Sequence, residues 1–167
     1  YWKPQGGRRI VFLVDRSLSV GNKAAEKAEE MLDLARAEKE PADEISVVTF
    51  GRGARFVGES VGQELISQSL QDASDLYAGL NLANGLLSRS GGQIVTVSDG
   101  RYSGKDPMAL VPECHKSGAR ILTSPLHTQR KRDVAITEVH TPERVARSTP
   151  YQVAFSVSSP VSCKSSI

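Results

Sequence analysis

The sequence predicts an α/β fold with a doubly wound, mainly parallel sheet flanked by helices, and three observations lead there. Apolar runs rich in β-branched residues recur at 10–14, 45–50 and 94–97, apolar on both faces as strands buried inside a parallel sheet are. Segments with helical spacing lie between them, which implies right-handed crossovers. Acidic and hydroxyl residues follow the first and third runs, where open α/β sheets collect their ligands. The chain has 167 residues, 39% hydrophobic and 24% charged, enough for one globular domain and the beginning of another.

Taken in order, the first strand (10–14) runs into Asp15-Arg16-Ser17-Leu18-Ser19. Residues 22–39 are rich in Ala, Glu, Lys, Leu and Met, strong helix formers. Ala24, Ala28, Met31, Leu32 and Ala35 form one apolar stripe, and Pro41 marks the stop. The second strand (45–50) closes on Gly51 and Gly53, and 54–57 reads as a short strand paired to it through a tight turn. A small helix is expected at 65–70. A clearer one spans 75–87, with Leu76, Leu80, Ala83 and Leu87 on one face and Gly91-Gly92 beyond its end. The third central strand (94–97) leads into Ser98-Asp99-Gly100. A helix over 108–116, a stop at Gly118 and a strand over 119–123 complete the pattern.

From Asp133 the character changes. Residues 134–139 and 151–157 alternate as half-buried strands do, with Pro142 and Pro150 between them. This tail reads as the opening strands of a β-sandwich, too short to close one, and the Ser-rich 158–167 as a frayed end. The expected division is therefore a domain at 8–128 and a linker with first strands at 129–167.

Bulk properties exclude several classes. Net charge is +2, from 21 basic and 19 acidic residues, so no strong field points to nucleic acid. The cluster Arg130-Lys131-Arg132 reads as a solvated linker. No apolar stretch approaches the roughly 20 residues that span a bilayer, and no signal peptide is seen, although a start at Tyr1 suggests an excised fragment. Cys114 and Cys163 match no zinc or redox spacing. Gly51-Arg52-Gly53 lacks the Gly-Lys-Ser/Thr ending of a phosphate loop, and His115, His127 and His140 have no metal-ligand spacing.

The chemistry gathers at three loops. Asp15, Ser17 and Ser19 put one carboxylate and two hydroxyls around a small volume beyond a strand end, and hard cations such as Mg²⁺ take oxygen ligands of that kind. Ser74-Asp75 opens a helix, which an ordinary N-cap would also explain. Asp99 precedes Gly100 at the end of a central strand, which a simple turn would also explain. Together these loops supply two carboxylates and three hydroxyls from separate parts of the chain.

In order and spacing, Asp-x-Ser-x-Ser at 15–19, the hydroxyl-Asp-Leu element at 74–76 and Ser-Asp-Gly at 98–100 resemble the von Willebrand factor A domain over about residues 8 to 126. In that family the three loops form the metal-ion-dependent adhesion site. The resemblance implies that Asp15, Ser17, Ser19, Ser74 and Asp99 hold the metal, with Ser74 standing where the family usually has Thr. That change keeps the oxygen but loses the methyl that stiffens χ1. Asp75 is expected to act from behind the ligands, and Arg16, lying between them, to point at whatever docks there. The passage 124–136 into alternating strands resembles bacterial membrane-anchored members, whose A domain is followed by an immunoglobulin-like β region. Membrane attachment would then lie in segments outside this sequence, with the side of the membrane open.

The function this implies is a non-enzymatic, metal-dependent protein-interaction module. Mg²⁺, or alternatively Mn²⁺ or Ca²⁺, would be completed by an acidic side chain of a protein partner. The alternative is a Mg²⁺-dependent phosphatase or phosphotransferase with Asp15 as nucleophile. Such sites place a second Asp two positions on, where this chain has Ser17. A third reading is a degenerate A domain that binds partners without metal.

Overall fold

The computed structural model describes residues 7–58, 70–87, 91–127, 135–142, 144–147 and 150–158. The chain divides into two compact units, Tyr1–Thr128 and Gln129–Ile167.

In the first unit a five-stranded sheet has the order β3-β2-β1-β4-β5. Its strands are β1 (Arg9–Asp15), β2 (Glu44–Phe50), β3 (Ala54–Gly58), β4 (Gly92–Ser98) and β5 (Ala119–Pro125). β2, β1, β4 and β5 run parallel. β3 folds back antiparallel on β2, with an irregularity between Val47 and Val48. Helix α1 (Lys23–Ala37) connects β1 to β2, and α2 (Leu76–Leu87) precedes β4. Strand order therefore reverses between β1 and β4, and the crevice beyond their carboxyl ends is where this topology places a ligand.

Side-chain alternation sorts the strands into two cores. Phe12, Val14, Ile45, Val47, Val95 and Val97 pack under α1 through Ala24, Ala25, Ala28 and Leu32. Val11, Leu13, Val48, Phe50 and Ile94 face the other way, against Leu80, Ala83 and Leu87 of α2 and against Leu110 and Cys114. The expected stripe of α1 holds, although Met31 and Ala35 are only partly buried and Ala25 joins the core. Burial also pushes the Cys114 thiol above its ordinary pKa.

One expectation needs correction within this unit, and one alternative is settled by the hydrogen-bond geometry at the start of α2. The helix expected over 108–116 is a 3₁₀ turn, Pro107–Leu110, followed by the short α3, Val111–Lys116. Two prolines set this division: Pro107 opens the turn, which Asp106 caps by accepting from Met108 N–H at 2.9 Å, and Pro112 stands inside the first turn of α3. Ser74 does not cap α2. Asp75 does, accepting from Ala78 N–H at 2.9 Å, three residues on as an N-cap should. The helix expected at 65–70 lies outside the described residues except for Leu70.

The second unit contains β6 (Ala135–His140) and β7 (Ala154–Ser158), antiparallel to each other in a two-stranded ladder. The half-burial expected of these strands is absent. Ile136, Val139, Phe155 and Val157 are exposed, because among the described residues of this unit the two strands have no second layer to cover either face. Ser158 belongs to β7 rather than to a frayed end, and 159–167, with Cys163, lie outside the described residues. Among the described residues no helix is long and apolar enough to cross a membrane.

Candidate functional site

Asp15 ends β1 at the reversal point. Val14 pairs with Val97, so Asp15 stands beside Ser98, the last residue of β4. Alternation turns both residues toward the α2 side of the sheet, with Leu13 and Ile94. Ser74, immediately before the α2 cap, reaches the same place. The three loops thus meet because two parallel strands end together and one helix begins over them.

Asp15 is fully buried, and a buried carboxylate needs hydrogen bonds to hold it there. Its Oδ1 accepts from Ser17 N–H at 2.8 Å, a local turn that bends the loop back on itself. Its Oδ2 accepts from Ser98 Oγ–H at 2.6 Å and has Ser74 Oγ at 3.3 Å. Ser98 Oγ in turn accepts from Gly100 N–H at 3.1 Å, where φ of +79° suits glycine. Ser17 Oγ and Ser19 Oγ stand 3.0 Å apart, with Ser17 buried and Ser19 exposed. One group of oxygens therefore meets at the buried Asp15 carboxylate, and the Ser17–Ser19 hydroxyl pair, tied to it through the Ser17 N–H, reaches the surface.

Asp99 follows Ser98, with its side chain 3% exposed. Its carboxylate accepts from Arg101 N–H at 3.1 Å and lies 3.9 Å from Arg101 Nε. The structure thus links Asp15, Ser17, Ser19 and Ser74 by direct contacts; Asp99 follows Ser98 along the chain, and the contacts just given tie it to Arg101 rather than to those four. Ser98 is the residue that sequence reasoning left out. Its hydroxyl makes the shortest contact to Asp15, and its strand-end position opposite Asp15 was the signal that could have found it.

Asp75 caps the helix terminus directly after Ser74, and its N–H donates to Gly51 O at 2.6 Å, pinning this loop to the end of β2. The role expected of Arg16 is corrected. Arg16 does not present itself to solvent; it is 2% exposed. Its Nη2 donates to Asn22 Oδ1 at 3.4 Å, and it lines a cleft with Thr49, Arg52, Arg55 and Gln71. Burial pushes its guanidinium below the usual arginine pKa, while the Asp15 carboxylate acts in the opposite sense.

The backbone of the first loop is held from both sides. Arg16 N–H donates to Phe50 O at 2.8 Å, Leu18 N–H to Gln71 O at 2.7 Å, and Gln71 N–H to Arg16 O at 2.8 Å. These bonds fix where Ser17 and Ser19 project. Oxygen donors of this kind suit a hard divalent cation. Two ligands at right angles around Mg²⁺, each at about 2.0–2.1 Å, lie about 2.9 Å apart. The Ser17 and Ser19 hydroxyls, hydrogen-bonded to each other at 3.0 Å, stand at a separation compatible with that edge, and the carboxylate and hydroxyl oxygens present are of the donor type such an ion takes.

Comparison with known proteins places the fold. A family model for the von Willebrand factor type A domain matches residues 10–101. No curated protein matches the chain. Among solved structures the fold is similar to an aerotolerance-related membrane protein from Bacteroides fragilis NCTC 9343, at TM-score 0.57 and 19% identity over 90% of this chain and 81% of that one. It is also similar to the conserved hypothetical protein BatB from Bacteroides thetaiotaomicron, at TM-score 0.55 and 16% identity over 90% and 80%. A third is proximal thread matrix protein 1 of the mussel byssus, solved with a zinc-occupied MIDAS motif, at TM-score 0.50 and 15% identity over 71% and 37%. At these identities the likeness is one of fold. The family match spans more than half of the sequence and includes the first, second and third loops, and on it the chain belongs to the von Willebrand factor type A domain family.

Proposed function

We propose that this chain is a metal-dependent protein-interaction module in which Asp15, Ser17, Ser19, Ser74 and Asp99 hold Mg²⁺ and an acidic side chain of a protein partner completes the site. The observation that carries this reading is the buried Asp15 carboxylate, met by the Ser98 and Ser74 hydroxyls and the Ser17 N–H, with the Ser17 and Ser19 hydroxyls paired beside it and Ser19 exposed at the mouth. When bound, the cation supplies a positive charge and an open coordination position for a carboxylate. The zinc-occupied motif of the mussel byssus protein supports a divalent cation at this position of the fold. The two bacterial neighbours, one of them named a membrane protein, support a role within a membrane-associated bacterial protein.

The same geometry disfavours Asp15 as a nucleophile. Both of its oxygens are engaged and the residue is fully buried, whereas an attacking carboxylate must reach a substrate atom. Titration calorimetry with Mg²⁺, Mn²⁺ and Ca²⁺ on the wild type and on Asp15→Ala tests the proposal. The wild type is expected to bind Mg²⁺ with a stoichiometry of about one, and Asp15→Ala to lose that binding while keeping its circular dichroism spectrum. Binding of equal strength in the variant, or none in the wild type at millimolar metal, would overturn it.

A further inference from the structure

The third loop carries a residue that the family pattern does not assign. Ser103 clasps Ser74 with two hydrogen bonds: Ser103 N–H donates to Ser74 O at 2.8 Å, and Ser74 N–H donates to Ser103 Oγ at 2.9 Å. The clasp brings the Arg101 carbonyl to 3.0 Å from Ser74 Oγ. A hydroxyl that ligates a cation offers a lone pair and must give its proton to some other acceptor. Arg101 O is such an acceptor, and with the proton there the lone pairs of Ser74 Oγ are left for the Asp15 side of the site, 3.3 Å away. Serine lacks the second Cβ substituent that stiffens χ1 in threonine, so at this position the hydroxyl depends on its surroundings for orientation.

From these contacts we infer that Ser103 is a positioning residue for the metal site, holding Ser74 and the Arg101 carbonyl in the arrangement that makes Ser74 Oγ a ligand. This inference rests on the metal-binding reading above. It joins the second and third loops into one piece, so that what moves one moves the other. Ser103 itself is exposed and acts through Ser74, not on the cation.

The test is titration calorimetry of the full chain with Mg²⁺ and Mn²⁺, on wild type, Ser103→Ala, Ser103→Thr, Ser74→Ala and the Ser74→Ala/Ser103→Ala pair. Loss of an outer-shell partner typically weakens metal binding about 10–100-fold, and Ser103→Ala is expected near the lower end because the Ser103 N–H bond survives. Ser103→Thr, which keeps the hydroxyl, is expected to retain wild-type affinity. In the Ser74→Ala background the Ser103 change should have no further effect. Should Ser103→Ala fail to fold, Ser103→Cys carries the same test, since its sulfur is a weak acceptor. Unchanged affinity in the tested variant, or an equal loss with and without Ser74, overturns the inference while leaving metal binding intact. A wild type that binds neither ion overturns the metal-binding reading itself.

Discussion

The Asp43 carboxylate shows how one side chain ties the start of the sheet. Its Oδ1 accepts from Arg8 N–H at 2.6 Å, and its Oδ2 from Arg8 Nε at 2.9 Å, Arg8 Nη2 at 2.6 Å and Glu40 N–H at 3.0 Å. Chiefly the hydrogen bond from the Arg8 side chain, helped by the backbone N–H groups, holds the Asp43 carboxyl well below the usual carboxylate range. A folded-state pKa below the unfolded value, about 3.9 for Asp, stabilises the fold fully above the unfolded value and is lost as pH falls through the folded one. Urea unfolding of wild type and Asp43→Asn should therefore differ most at about pH 6–7, where the carboxylate is ionised in both the folded and the unfolded chain. The gap is expected to narrow steadily as pH is lowered below about 4. A gap independent of pH would show that Asp43 acts by shape alone. Asp15 is a different case at the same scale: its partners are mostly hydroxyls, and hydroxyls can turn their protons elsewhere when a cation arrives. Asp15, Ser17 and Ser19 were legible in the sequence because a strand end and an alternating Asp-x-Ser-x-Ser suffice to bring those oxygens together. Ser103 was not legible, since nothing in a polar loop marks which residue will meet Ser74.

At the scale of elements, α2 lies close against the sheet because residue 79 has no side chain. A Cβ at Gly79 would stand 2.9 Å from Leu13 Cδ1 and 3.1 Å from Phe50 Cβ, inside the contact distance of packed carbons. Gly85, in the same helix, would meet nothing within 4 Å. Gly79→Val is therefore expected to cost about 1–3 kcal/mol through overpacking, while Gly85→Ala gains up to about 1 kcal/mol of helix propensity. Chemical denaturation of the two variants distinguishes them, and a neutral Gly79→Val would show that the helix can shift away. The start of α2 matters to the site because Asp75 caps it and is bonded to Gly51, so the helix terminus fixes the place of Ser74. The element boundaries at Gly118 and Pro41 were readable from residue type. The broken segment 107–116 was not, because its apolar spacing suits a single helix and Pro107 and Pro112 decide otherwise.

For the molecule as a whole, the two apolar clusters lie entirely between Val11 and Ala119 among the described residues, so the first unit contains its own core. We propose that it is an independent folding domain: a chain ending at Thr128 should keep a cooperative urea transition with an unchanged midpoint. Loss of cooperativity would refute this. Over the second unit the sequence pattern promised half-buried strands, and the exposure of Ile136, Val139, Phe155 and Val157 shows why alternation alone is an incomplete guide. It states which face is apolar, not whether a layer exists to cover it. The parallel architecture, the strand ends and the oxygen chemistry after β1 and β4 were determined by the sequence alone, because apolar runs and their periodicity specify which segments must be buried. The meeting of Asp15, Ser98 and Ser74, the burial of Arg16 and the Ser103 clasp were decided only by tertiary structure. These depend on which strands become neighbours and on where one helix begins, and residues 29 to 83 positions apart carry no local signal of their contact.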